Sequence, residues 1–147
     1  MSVGYDMLQG IAATGKFDVW YLFPLCALNR CLKTDGKIDP TWARKITFLL
    51  GTDEWEQELY KNSPQMSLFE DTDGPVKIRD GIWRVLEYAK KRLSGLFPGV
   101  CNKPAILRNS KNSPLFALFF MCSNSAAKAL ALRIAESILR QEDGKNV

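Results

Sequence analysis

Leu115 to Ser123 reads LFALFFMCS, nine residues without a charge and with a polar side chain only at the end. A run this apolar on both of its alternating faces suits a strand that is covered on both sides rather than half wet. Just upstream, Ala105 to Asn109 (AILRN) is a shorter strand, and SKNSP between the two is a turn. The pair predicts a hairpin with a loop of about five residues. Working outward, Ser125 is placed to cap a final helix running to about Arg140, with Ala127, Leu130, Ala131, Ile134 and Ile138 inward. The tail QEDGKNV (141–147) is expected to fray. Towards the N-terminus, Phe17 to Phe23 (FDVWYLF) is β-branched and aromatic, is halted by Pro24, and also reads as a strand apolar on both faces.

The remaining segments read as helices. Tyr5, Leu8, Ile11 and Ala12 share a face before Gly15, and residues 25–32 (LCALNRCL) form a short helix. Asp39-Pro40 opens another: Asp is a good N-cap, and Pro fits the first helical position, where its missing N–H costs nothing. Trp42, Ile46, Leu49 and Leu50 are its apolar stripe, and Gly51 ends it. Asp53 and Glu56 make a capping-box pattern for the next helix, with Trp55 and Leu59 on the buried side. Residues 62–75 are a loop broken by Pro64, Gly74 and Pro75. The longest helix runs from about Val76 to Ser94, with Ile78, Ile82, Val85, Leu86, Ala89 and Leu93 on one face. Trp20, Trp42, Trp55 and Trp83 are all expected to face inward.

Composition narrows the chemistry. The chain has 147 residues and no histidine. That removes Ser-His-Asp and Cys-His nucleophile pairs, imidazole metal ligands and a switch near neutral pH. Cys26, Cys31, Cys101 and Cys122 form no C-x-x-C pair and read as small core residues in a reducing cytoplasm. No metal site is expected. No signal segment is visible, and the longest apolar runs are too short to span a bilayer, so no membrane partner is expected. The net charge of +4 divides unevenly: residues 52–75 carry seven acids and one lysine, and residues 76–111 carry nine bases and two acids. Arg79, Arg84, Lys91, Lys103, Arg108 and Lys111 either form a nucleic-acid-binding face or are solvated faces of helices that neutralise the acidic block.

Three stretches carry a family likeness. TGKFDVWYLFPLCALNRCL at 14–32, DPTWARKITFLLGTDEWEQELY at 39–60 and LRNSKNSPLFALFFMCSN at 107–124 resemble the three-Cys-motif partner (TcmP) family. This is a bacterial and phage-associated group with a class I methyltransferase-like fold. The likeness covers essentially the whole chain but only the family's C-terminal portion. It implies an α/β, Rossmann-like fold with strands at 17–23, 105–109 and 115–123, the last central and antiparallel. It also implies a helical insert at 39–61, all within one incomplete domain over 1–147.

The resemblance further implies S-adenosylmethionine as the cofactor of a complete member. The ten glycines form no G-x-G pattern, and no Asp-Pro-Pro-Tyr type motif occurs. The expectation for this chain alone is therefore no cofactor, no catalytic residue and no enzymatic activity. The implied partners are a three-Cys-motif protein and the missing N-terminal half, with self-association through the 17–23 edge as the alternative. Asp18, Pro24, Asn29 and Arg30 are the functional candidates. Asp18 interrupts an apolar strand and either faces a site or sits near solvent at the strand's start. Asn29 and Arg30 follow that strand through Pro24. They either contact substrate, phosphate or partner, or make a local hydrogen bond and a surface ion pair.

Overall fold

The computed structural model describes residues 3–32, 37–61 and 77–147. The loop expected at 62–75 lies outside the described residues. The sheet is built on β4 (Pro114–Cys122). One edge of β4 pairs with β1 (Asp18–Phe23), from Asp18 opposite Cys122 to Phe23 opposite Ala117. Its other edge pairs with β2 (Gly99–Val100) and, further along, with β3 (Ala105–Arg108). Every pairing is antiparallel, so β4 is central and β1 and β3 run parallel to each other on its two sides. The two-residue β2 has no pattern of its own in the sequence. It continues in the Cys101 N–H donating to the Phe120 carbonyl at 2.9 Å.

The two faces of the sheet differ. Val19, Tyr21 and Phe23 share one face with Ala117, Phe119 and Met121, because directly opposed residues in an antiparallel pair lie on the same side. Helices α1 (Tyr5–Ala13), α2 (Leu25–Cys31), α3 (Pro40–Leu50), α4 (Trp55–Lys61) and α5 (Lys77–Ser94) surround this face, with α2 packed on β4 and α5 on α2. Leu25, Leu28, Ile46, Leu50, Val85, Ala89 and Leu93 join Phe23 and Phe119 in the core. Among the described residues the opposite face carries only α6 (Lys128–Glu142), which packs on β2, β3 and β4.

Local signals explain the helix ends. The Asp39 carboxylate accepts from the Thr41 N–H at 2.7 Å, and Gly51 closes α3 in the left-handed region at φ 71°. A Cβ at Gly51 would strike the Tyr5 ring, so the position needs glycine on two grounds. Trp55 is 1% exposed, and its indole N–H donates to the Thr47 hydroxyl at 2.9 Å, which satisfies its one polar group.

Several expectations are corrected. Only Trp55 of the four tryptophans is buried; Trp20, Trp42 and Trp83 are exposed, since each lies on the flank its element turns away from the core. The stripe expected inward on α6 is not the buried one. Ala135 and Leu139 are buried, and Leu130, Ile134 and Ile138 are open to water. α6 begins at Lys128 rather than after Ser125, because the Asn124 side chain accepts from the Ala126 and Ala127 N–H groups and holds a turn there. The tail is tied down. The Gly144 N–H donates to Ile106, the Val147 N–H to Arg108 and the Arg108 N–H to Lys145, each through backbone carbonyls, while the Asp143 carboxylate accepts from the Ile106 N–H. The tail thus covers the outer edge of β3.

Arg92 joins three helices at one point. Its guanidinium donates to the Leu50 carbonyl at 2.9 Å and the Gly51 carbonyl at 3.3 Å, filling carbonyls that the end of α3 leaves open. It lies 4.7 Å over the Tyr5 ring, whose hydroxyl donates to the Arg92 carbonyl. Arg92→Ala is expected to cost about 1.5–3 kcal/mol, the range for hydrogen bonds to a charged group. Urea denaturation of the two proteins measures it, and equal stabilities would refute the role.

Tyr21 gives a pH-dependent test. Burial pushes its phenol from 10.0 up to about 12. The folded protein holds this proton more tightly than the unfolded chain does. The associated stability is therefore complete below pH 10 and is lost as pH rises through the window up to 12. Denaturation curves across that window should fall less steeply for Tyr21→Phe than for the wild type.

Candidate docking surface

The four candidate residues do not converge. Asp18 stands exposed at the start of β1, opposite Cys122. Pro24 follows the other end of the strand, about 20 Å along at the usual rise per residue, and Asn29 and Arg30 lie in α2 after it. Pro24 is half-buried and precedes α2, its carbonyl accepting from the Leu28 N–H at 3.0 Å. The half-buried Asn29 turns its side-chain oxygen toward α5, where it sits 3.5 Å from the position a Cβ on Gly81 would take. Its carbonyl accepts from the Leu32 N–H. Arg30 is exposed in the last turn of α2.

Sites on open α/β sheets form at the carboxyl ends of parallel strands. The end shared by β1 and β3 is occupied by the hairpin's own turn. The Asn109 side chain accepts from the Lys111 and Ser113 N–H groups, and the Arg108 guanidinium donates to the Asn112 carbonyl. Among the described residues no three His, Cys, Asp or Glu side chains gather as a metal site.

Much of the basic block is engaged internally. Lys90 donates to the carbonyl and side chain of Asn102, Lys91 sits 3.6 Å from Glu58, and Arg92 caps α3. The Lys91–Glu58 pair links the basic α5 to the acidic α4. Lys103 and Lys111 are exposed, as is Trp83. The side chain of Arg79 lies outside the described residues. No helix among the described residues is long and apolar enough to cross a membrane.

What the structure assembles instead is an uncovered apolar surface. Among the described residues β1 is an edge strand, with β4 on one side only. On the face opposite the core, Trp20 is 44% and Leu22 47% exposed. Trp20 packs on Phe120 with ring centroids 4.9 Å apart. α6 exposes further apolar side chains. Lys128 and Leu132 lie against Gly99 of β2, on the side of β4 away from β1. At about 100° per residue, Leu130 then falls nearly opposite the sheet-facing side of α6, with Ile134 and Ile138 stepping back from it along one flank. They are 56%, 56% and 41% exposed. Leu118 and Phe120 share the face of Trp20 and Leu22, with Phe120 buried and Leu118 half-buried.

Sequence reasoning missed this exposure. Its one signal is the width of the apolar arc on α6, where residues 130, 131, 134, 135, 138 and 139 are all apolar. That arc exceeds what a single sheet face covers. Comparison with protein-family models, curated proteins and solved structures finds no match.

The thiols are unpaired. Cys26 and Cys31 are half-buried, and Cys101 and Cys122 are buried. Burial pushes the Cys122 thiol up, and the Asp18 carboxylate beside it adds to the effect. Burial likewise raises the Cys101 thiol. A thiol-reactive disulfide reagent at neutral pH should label Cys26 and Cys31 in the native protein, and Cys101 and Cys122 only after denaturation. Native labelling of all four at equal rates would contradict the packing.

Proposed function

We propose that the protein is a non-catalytic part of a three-Cys-motif-partner-like, methyltransferase-like assembly. Its role is to join a second polypeptide through the open edge of β1. The observation that carries this reading is the edge itself: a strand of six residues, five of them apolar, that among the described residues is paired on one side only. The outward N–H and C=O groups of such an edge form a template for adding another strand. The order around β4, with β1 and β3 parallel on its two sides, agrees with the end of a methyltransferase-like sheet.

In this reading the joining polypeptide brings the glycine-rich strand and the acidic residue that hold S-adenosylmethionine. The present chain supplies the closing strands and part of the core. A three-Cys-motif protein is the further partner that the family resemblance implies. The nucleic-acid reading is weaker because Lys90, Lys91, Arg92 and Arg108 are already engaged within the fold.

Calorimetric titration tests the division of labour. S-adenosylmethionine added to the isolated chain should give no heat of binding. Micromolar binding would place the cofactor site in this chain and overturn the reading. The docking itself is tested by mixing the chain with a polypeptide carrying the N-terminal half of a family member. Leu22→Lys puts a charge on the joining strand and should weaken capture at least tenfold.

A further inference from the structure

Strand addition at β1 leaves open what kind of strand the edge accepts, and the direction of its backbone groups narrows the choice. The Phe17 carbonyl accepts from the Ser123 N–H at 3.1 Å, and the Phe17 N–H donates to the Ser123 hydroxyl at 2.8 Å, so Phe17 is turned toward β4. Backbone groups alternate in direction along a strand. Val19, Tyr21 and Phe23 are therefore turned toward β4 as well, and Asp18, Trp20 and Leu22 direct their N–H and C=O groups outward. β4 agrees from its far side. The Phe120 carbonyl accepts from the Cys101 N–H, which leaves Phe119 and Met121 to face Tyr21 and Val19. Asp18, Trp20 and Leu22 are also the residues of β1 whose side chains are exposed.

We infer that Asp18 selects the partner of this edge: it favours an added strand that sets a lysine or arginine beside it, and disfavours a second copy of this chain. The inference rests on strand addition at β1 and names the chemistry of the strand that fits. Asp18 is the one charged residue of β1. Among the described residues no lysine or arginine forms an ion pair with it, the exposed Lys16 two residues earlier included, and the Cys122 thiol beside it brings no positive charge. On an added strand the residue opposite Asp18 stands on the same face, with its Cβ about 5 Å away. The added strand also displaces water from the carboxylate. A lysine or arginine at that position offsets the lost hydration, an apolar residue does not, and an acid adds repulsion.

The same reasoning disfavours self-pairing. Two β1 strands meeting edge to edge about a two-fold axis run antiparallel, and directly opposed residues share a face. Centred on Trp20, that register sets each Asp18 against the Leu22 of the other copy, so two carboxylates are covered by apolar side chains. Centring the pair on Val19 or Tyr21 sets Asp18 against Trp20 or Pro24 instead. None of these registers supplies a base. A charge placed on an otherwise apolar edge is a recognised way of rejecting the wrong strand, and the same charge is a handle for the right one.

Two labelled peptides with blocked ends test this against the full chain by fluorescence anisotropy: Lys-Thr-Val-Thr-Val-Thr-Lys and Glu-Thr-Val-Thr-Val-Thr-Glu. A charged residue at each end sets one beside Asp18 whether the peptide runs parallel or antiparallel. The lysine peptide should bind about fivefold tighter than the glutamate peptide, and Asp18→Lys should reverse the order. The chain's net charge of +4 by itself favours the glutamate peptide, so a preference for lysine reports the local carboxylate. Asp18 is exposed at the start of the strand, and circular dichroism checks that the variant is folded. In hydrogen exchange the bound peptide should slow the outward Trp20 and Leu22 amides. Equal affinities for the two peptides, or an order that Asp18→Lys leaves unchanged, overturn the inference and leave strand addition standing. If neither peptide slows those amides, strand addition fails and the inference fails with it. A wild type whose Trp20 and Leu22 amides slow as its own concentration rises is pairing edge to edge with itself, which also overturns the inference.

Discussion

The structure depends on β4 being hydrogen-bonded along both edges. β1 lies near the N-terminus, and β2 and β3 lie beyond the long α5, yet β4 is the strand that each of them pairs with. Loss of β4 would leave no sheet, because β1 is not a neighbour of β2 or β3. Ser123 extends the clasp past the end of the strand: its hydroxyl donates to the Phe17 carbonyl and accepts from the Phe17 N–H, while its own N–H donates to the same carbonyl. A buried polar residue is thereby satisfied and used to hold β1 in place.

That central strand also creates an imbalance. Its core face is closed by helices, with Phe119 and Met121 fully buried. Among the described residues the other face receives one helix, α6, set toward β2 and β3. α6 therefore shields Cys122 and most of Phe120 but leaves the side chains of β1 on that face in water. Leaving Trp20 and Leu22 there sacrifices stabilisation worth about 25 cal/mol per Å² of apolar surface. A surface of this kind acquires meaning from what covers it. By contrast, the polar side chains best placed for chemistry, Arg92, Asn109 and Ser123, are spent on carbonyls and amides of the fold itself.

Legibility in the sequence follows the range of the interaction. The Asp39-Pro40 start and the Gly51 stop of α3, the period of α5 and the 105–122 hairpin are written in neighbouring residues, and each forms where it reads. The tail and α6 are read less well. Asp143 and Gly144 look like a fraying end until β3 is known to offer them Ile106 as a partner. Leu130, Ile134 and Ile138 look like a core stripe because apolar side chains at helical spacing read the same whether the chain's own sheet or another surface is to cover them. Trp20 and Trp42 fail for the same reason: size and apolarity do not say on which side of an element the core lies.

Among the candidate positions, the residues of the 17–24 stretch could be singled out from sequence, but not the use to which the fold puts them. The sequence by itself determined the α/β class, the doubly covered character of residues 115–122, the helix caps and the exclusion of imidazole chemistry, because these rest on local pattern and composition. Only the tertiary structure decided that one face of β1 leaves Trp20 and Leu22 open to water, and that α6 is turned so that Ala135 and Leu139 are buried while Leu130, Ile134 and Ile138 are not. Both facts depend on which strands pair with β4 and how α6 is rotated upon it, and both are set by contacts between residues up to about a hundred positions apart.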